Sequence, residues 1–185
     1  MIIENTNEKS LRVLVVNMYN KKFEQVDLPM TKDELTSFLK EFNPDDNECE
    51  IQGIDVLADS NEEITAKHKN SIANSVLCNC NLEIVNNVAT ILQEDADFAF
   101  ILHACDSYAH AFEVYTNETF TIFRDVPDKT SFGEEFAEHM NLFEDVTNSI
   151  IREHFDFASF CDSLYNNEVM KDVANDIVVH LHKTH

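Results

Sequence analysis

Leu11-Arg-Val-Leu-Val-Val16, Asn17-Met-Tyr-Asn20 and Lys22-Phe-Glu-Gln-Val-Asp-Leu28, read in that order, decide how the chain begins to fold. The first run is β-branched and apolar, the last alternates, and the asparagines between them supply turn chemistry, so two strands joined by a turn are expected. Thr31 with Glu34 three residues on makes a capping box, and Leu35, Phe38, Leu39 and Phe42 fall at helical spacing before Asn43-Pro44 ends the run. Alternation in Cys49-Glu50-Ile51-Gln52 adds a third strand. Residues 1–61 therefore read as a small α/β domain, an antiparallel sheet with one helix.

Beyond residue 62 the period changes. Ile64, Ile72, Val76 and Leu77, then Leu82, Val85, Val88, Ala89 and Leu92, then Phe98, Ile101 and Leu102, then Tyr108, Ala111, Phe112 and Tyr115 recur at three and four. This spacing predicts a helical domain over residues 62–116, with Asp106 and Ser107 as N-caps of its last helix. Thr119-Phe-Thr-Ile-Phe123 alternates as a strand, and Asp125–Asp128 is a turn. Ser131 with Glu134 reads as a second capping box, opening a helix through Phe136 and Met140. Helical spacing continues through Ile150, Ile151 and Phe155 and through Phe157, Phe160 and Leu164, and Ile177-Val-Val-His-Leu181 closes as a strand. The expectation is an α+β chain of three small domains, the third an α+β piece over residues 117–185.

Composition removes several function classes. Glycine occurs only at 53 and 133, so G-x-G-x-x-G, P-loop and G-x-S-x-G motifs are impossible. No H-E-x-x-H is present, and Cys78-x-Cys80 lacks both the spacing and the second pair of a zinc site, so the five cysteines read as reduced core thiols. Asp45-Asp46-Asn47-Glu48 superficially resembles a calcium loop but lacks its Asp-x-Asp-x-Asp-Gly order, and Glu50 stands where a glycine belongs. His180 and His182 share a strand face with His185 nearby, which reads as a polar strand end before it reads as a transition-metal site. No long apolar stretch and no basic, apolar leader is visible, which leads to the expectation of a cytoplasmic chain with no membrane segment, no cofactor and no metal.

Charge points to a partner. The chain carries 35 Asp and Glu against 13 Lys and Arg, a formal net charge of −22. Residues 1–40 sum to zero, residues 41–92 to −8 and residues 93–185 to −14. Such a surface repels nucleic acid, whose binding depends on Lys and Arg neutralising phosphate. Duplex DNA carries one charge per roughly 1.7 Å of axis, so about 22 charges match roughly 37 Å of duplex, and a basic partner is the natural complement.

Within this frame the second half resembles a known family. His103-Ala-Cys105-Asp106-Ser107-Tyr-Ala-His-Ala111, Tyr115, and Thr119-Phe-Thr-Ile-Phe-Arg-Asp125-Val126-Pro-Asp128 come first. Phe132-Gly133-Glu134-Glu135-Phe136-Ala-Glu138 and Phe155-Asp156-Phe157-Ala-Ser-Phe160 follow, and in this order and spacing the chain resembles ArdA-type antirestriction proteins over roughly residues 100–165. Asp162 stands where that family tends to carry a cation, which adds negative charge.

The resemblance implies an elongated, homodimeric protein whose carboxylates imitate DNA phosphates and occupy the DNA groove of type I restriction-modification methyltransferase and specificity subunits. It implies a distributed site and no enzyme activity. The residues expected to form the site are Glu94, Asp95, Asp97, Glu113 and Glu118, followed by Asp125, Asp128, Glu134, Glu135, Glu138, Glu144, Asp145, Glu153, Asp156 and Asp162. Asp106 and Ser131 are set aside as caps, and Asp156, between two phenylalanines, also has a structural reading. The alternatives are a DNA mimic directed at an RNA-guided nuclease, whose PAM-reading arginines are equally basic, and an acidic chaperone of a basic protein. A salt-adapted or metal-dependent enzyme is a further alternative, disfavoured by the neutral first forty residues.

Overall fold

Asn17 shows how the first strands are held. Its buried side-chain oxygen accepts from the amides of Tyr19 and Asn20 at 3.1 and 3.3 Å, and its amide donates to Asn43 Oδ1 at 3.0 Å. One side chain thus shapes the turn between two strands and ties that turn to the end of the following helix. The computed structural model describes residues 9–45, 49–57, 77, 80–144, 149–167, 169–174 and 176–182. The chain is α+β, with two antiparallel three-stranded sheets and seven helices among the described residues. It divides into two compact units, Met1–His110 and Ala111–His185.

In the first unit, β1 (Leu11–Asn17), β2 (Lys22–Leu28) and β3 (Cys49–Val56) form a sheet in the order β2-β1-β3. Leu11, Val13 and Val15 are buried while the residues between them are half-buried, so one face of the sheet makes the core. Helix α1 (Lys32–Phe42) opens on the expected box, in which Thr31 accepts from the Glu34 amide and Glu34 accepts from the Thr31 amide. It buries Leu35 and Phe42. The run at Ile64, Ile72 and Val76, Cys78, Asp46–Glu48 of the calcium-like run, and His185 lie outside the described residues.

Helix α2 (Leu82–Glu94), capped by Asn81, is bonded directly to the strand layer. Its buried Asn86 accepts from the Met30 amide at 2.7 Å and donates to the Met30 carbonyl at 3.0 Å, and the Ser10 hydroxyl donates to the Ala89 carbonyl at 2.7 Å. Buried backbone groups need partners, and Asn86 satisfies both groups of one residue. Helix α3 (Phe98–Ala104) is buried over nearly its whole length, and α4 (Tyr108–Thr116) begins after Ser107. The Ser107 hydroxyl accepts from the His110 amide at 3.2 Å, so Ser107 is the cap and Asp106 is left exposed.

The second unit pairs β4 (Phe120–Phe123) with β6 (Ile177–Leu181), and β6 with β5 (Val169–Ala174). Strand β5 is the element that the sequence reading lacks, because Lys171-Asp172 interrupts the apolar pattern of Val169, Met170 and Val173. Helices α5 (Lys129–His139), α6 (Ser149–Glu153) and α7 (Phe157–Asn167) complete the unit. The second capping box is corrected: the Asp128 carboxylate accepts from the Ser131 amide at 2.9 Å, so Asp128 is the N-cap and Ser131 lies one turn inside α5. Aspartate caps as well as serine and sits earlier, which leaves Glu134 on the exposed helix surface.

Phe123, Phe132, Phe136, Cys161, Leu164 and Val178 form the core of this unit. The Phe123 ring lies 5.3 Å from Phe132, edge to face, and 5.6 Å from Phe136. Gly133 makes this packing possible: a Cβ there would lie 2.3 Å from the Phe157 carbonyl oxygen, at the start of α7.

Gly133→Ala is expected to destabilise the protein by about 1–3 kcal/mol through overpacking, although alanine is the better helix former by about 1 kcal/mol. Asn86→Ala, which strands the Met30 amide, is expected to cost about 1–3 kcal/mol. Denaturant unfolding of each variant measures both effects, and a neutral Gly133→Ala result would mean that α7 yields at no cost.

Candidate anionic surface

Each carboxylate owes its availability to its local element. Residues Ala111–His185 hold fifteen Asp and Glu against five Lys and Arg, a net charge of −10. Of the acids expected to form the site, which begin at Glu94 in the first unit, some are committed to the fold and others are not.

Three form turns and caps. Asp95 Oδ1 accepts from the Asp97 amide at 2.9 Å in the turn between α2 and α3, and both residues are half-buried. Asp97 precedes α3 without a side-chain capping bond. Asp128 caps α5, and Asp156 accepts from both the amide and the hydroxyl of Ser159, at 3.0 and 2.7 Å, at the start of α7. These bonds hold the Asp128 and Asp156 carboxyls below the usual aspartate range, first through the backbone amide and then through the serine hydroxyl.

Three others share cations. Glu134 and Glu138 lie one turn apart on α5 and repel each other. Arg152 of α6 lies between them, 3.4 Å from Glu134 Oε1 and in hydrogen-bond contact with Glu138. Asp162 of α7 bonds Lys129 at the start of α5, which raises the Lys129 pKa. All these side chains are about half exposed, so solvent screens the pairs and each contributes little to stability. Their effect here is to cancel charge.

Glu94, Glu113, Glu118, Asp125, Glu135, Glu144 and Glu153 are exposed, and their side chains hold no hydrogen bond or ion pair among the described residues. Asp145 lies outside the described residues. Asp106 belongs with the exposed acids, since the cap that set it aside is made by Ser107. Glu118 and Asp125 have φ of 53° and 58°, left-handed conformations that strain glutamate and that aspartate tolerates better. Neither glycine has a positive φ, whereas among the described residues four others do, Lys21, Glu118, Asp125 and Asn141.

Among the described residues no group of three His, Cys, Asp or Glu is arranged to hold a metal. The rings of His180 and His182 meet at a tilt of 57° with centroids 4.9 Å apart, and His182 Nε2 lies 2.9 Å from Thr121 Oγ1. Among the same residues no helix is long and apolar enough to cross a membrane. Neither protein-family models nor curated proteins match the chain. What the surface offers chemically is therefore a set of fixed, hydrated negative charges, several of them without cations.

The caps set a pH dependence. A carboxyl whose pKa is lowered by folding stabilises the protein above its unfolded value and loses that contribution as pH falls through the folded value. Stability carried by Asp128 and Asp156 is thus present at neutral pH and lost below about pH 4. The double variant Asp128→Asn, Asp156→Asn keeps the capping oxygens and is expected to show a shallower loss of Tm between pH 5 and 2. An unchanged acid limb would show that these bonds contribute nothing to acid unfolding.

Proposed function

We propose that the protein is an antirestriction DNA mimic, which binds the DNA groove of type I restriction-modification enzymes through their methyltransferase and specificity subunits. It acts by occupancy, as a cytoplasmic homodimer, and makes or breaks no bond. The observation that carries this reading is the set of exposed carboxylates without a cation among the described residues, at Glu113, Glu118, Asp125, Glu135, Glu144 and Glu153, on a unit with a net charge of −10.

Charge density supports it. Along α5, Glu134, Glu135 and Glu138 fall within about 6 Å of helix axis at 1.5 Å per residue. Arg152 leaves about two net charges there, against between three and four on the same length of duplex. A protein that grips phosphate with Lys and Arg meets on this helix rather more than half the field of DNA.

Contacts of this kind are many and individually weak, so inhibition should be distributed and salt-sensitive. Competition between the protein and duplex DNA for a purified type I methyltransferase, measured from 50 to 200 mM salt, tests it. Affinity is expected to fall at least about tenfold over that range. Glu135→Gln alone should change it less than about threefold, whereas neutralising Glu113, Glu118, Asp125, Glu135 and Glu153 together should weaken it at least about tenfold. Failure to compete at 50 mM salt would overturn the proposal, as would a single substitution as damaging as all five.

A further inference from the structure

The second unit contains a cleft of about 530 Å³, between the start of α5, one side of α7 and strands β5 and β6. Its floor is apolar and buried, made by Val126, Phe132 and Val178. Its rim is polar and already ordered. The Tyr165 phenol donates to Asp172 Oδ1, and Lys129 donates to Asp162 Oδ1, so each carboxylate has one oxygen fixed and the other without a bond. An apolar floor under a rim of four charged side chains and one phenol suits a ligand that has both an apolar stem and a charged head.

The charge of the rim selects the ligand. Asp128, Asp162 and Asp172 line the cleft together with one ammonium, that of Lys129, which Asp162 already holds. The net charge of −2 repels an anion, while the floor favours a ligand with an apolar stem. A guanidinium combines these demands better than an ammonium. It is planar, less strongly hydrated, donates to two carboxylate oxygens at once and stacks on an aromatic ring, and Tyr165 lines the cleft half-buried, 5.9 Å from Phe132.

We propose that this cleft receives an arginine side chain from the surface of a basic protein partner, held by Asp172 and Asp162 against the Tyr165 ring. The partner's identity rests on the antirestriction reading, but the recognition of arginine does not. The cleft gives an otherwise diffuse surface one shaped anchor, of the kind that carries much of the energy at protein interfaces.

The test is an amide NMR titration of the full chain with N-acetyl-arginine amide, its lysine counterpart and its citrulline counterpart, which has arginine's shape without the charge. Arginine is expected to move the resonances of Lys129, Phe132, Tyr165 and Asp172 before those of other segments. It should bind at least about threefold more tightly than lysine, and citrulline should produce no shifts. Asp172→Asn is expected to weaken arginine binding about fivefold or more, Tyr165→Phe less, and Asp33→Asn, an exposed acid in the first turn of α1 that belongs to neither surface, not at all. Shifts spread evenly over the acidic segments, equal binding of lysine or citrulline, or an unaffected Asp172→Asn variant would each overturn the proposal. The comparison of the three ligands on the native chain decides even if a variant fails to fold. Arginine binding without competition for the methyltransferase would keep the cleft and reject the antirestriction reading, and the reverse would reject the cleft alone.

Discussion

Packing between phenylalanine rings is what the second unit depends on, because it must hold fifteen acids together with five cations. Each buried phenylalanine contributes about 1.5–3 kcal/mol of apolar transfer, and edge-to-face contacts such as Phe123 on Phe132 add about 0.5–1.5 kcal/mol. These contributions act inside, where the charges do not reach. The rings converge because α5 and the start of α7 come closer than two side-chain-bearing helices can, and the missing Cβ at Gly133 permits it. A chain with fourteen phenylalanines, no tryptophan and two glycines has placed one of those glycines at a contact with no room for a Cβ.

The carboxylates divide according to what the fold asks of them. Asp128 and Asp156 complete helix ends, where the exposed amides and the helix dipole favour an anion, and Arg152 and Lys129 moderate the crowding on α5 and α7. The remaining exposed acids do nothing visible for the fold among the described residues, and one of them, Glu118, stands on strained backbone. Self-repulsion and strain both act against the compact state, so a benefit outside the fold is the natural reason for their presence. The antirestriction reading supplies one, and the cleft beside Tyr165 gives that reading a local chemistry.

Much of the architecture is legible in the sequence because short-range signals agree with long-range packing. Thr31 and Glu34, the alternation in Thr119–Phe123 and the spacing of Leu82, Val85, Val88, Ala89 and Leu92 each describe the element that forms. The cap of α5 is misread because Asp128 and Ser131 both satisfy the chemistry of a cap, and only backbone geometry separates them. Strand β5 is missed because Lys171 and Asp172 are exposed and the apolar contacts that define the strand come from β6 and α7. The acids were identifiable as a class but not by availability. Whether Glu134 or Glu135 meets a cation depends on where Arg152 lies, eighteen residues from the first of them.

The paired hydrogen bonds of Asn86 to Met30, and that of Ser10 to Ala89, bear on how such a chain can be reshuffled. Composition suggests a seam near residue 61, where a β-rich segment gives way to a helical one. A crossover there between diverged copies would part each donor from its acceptor and leave buried peptide groups facing a foreign helix. An exchange that preserves folding is therefore expected to carry the sheet and α2 together, coupling the opening segment to positions 56 to 79 residues downstream.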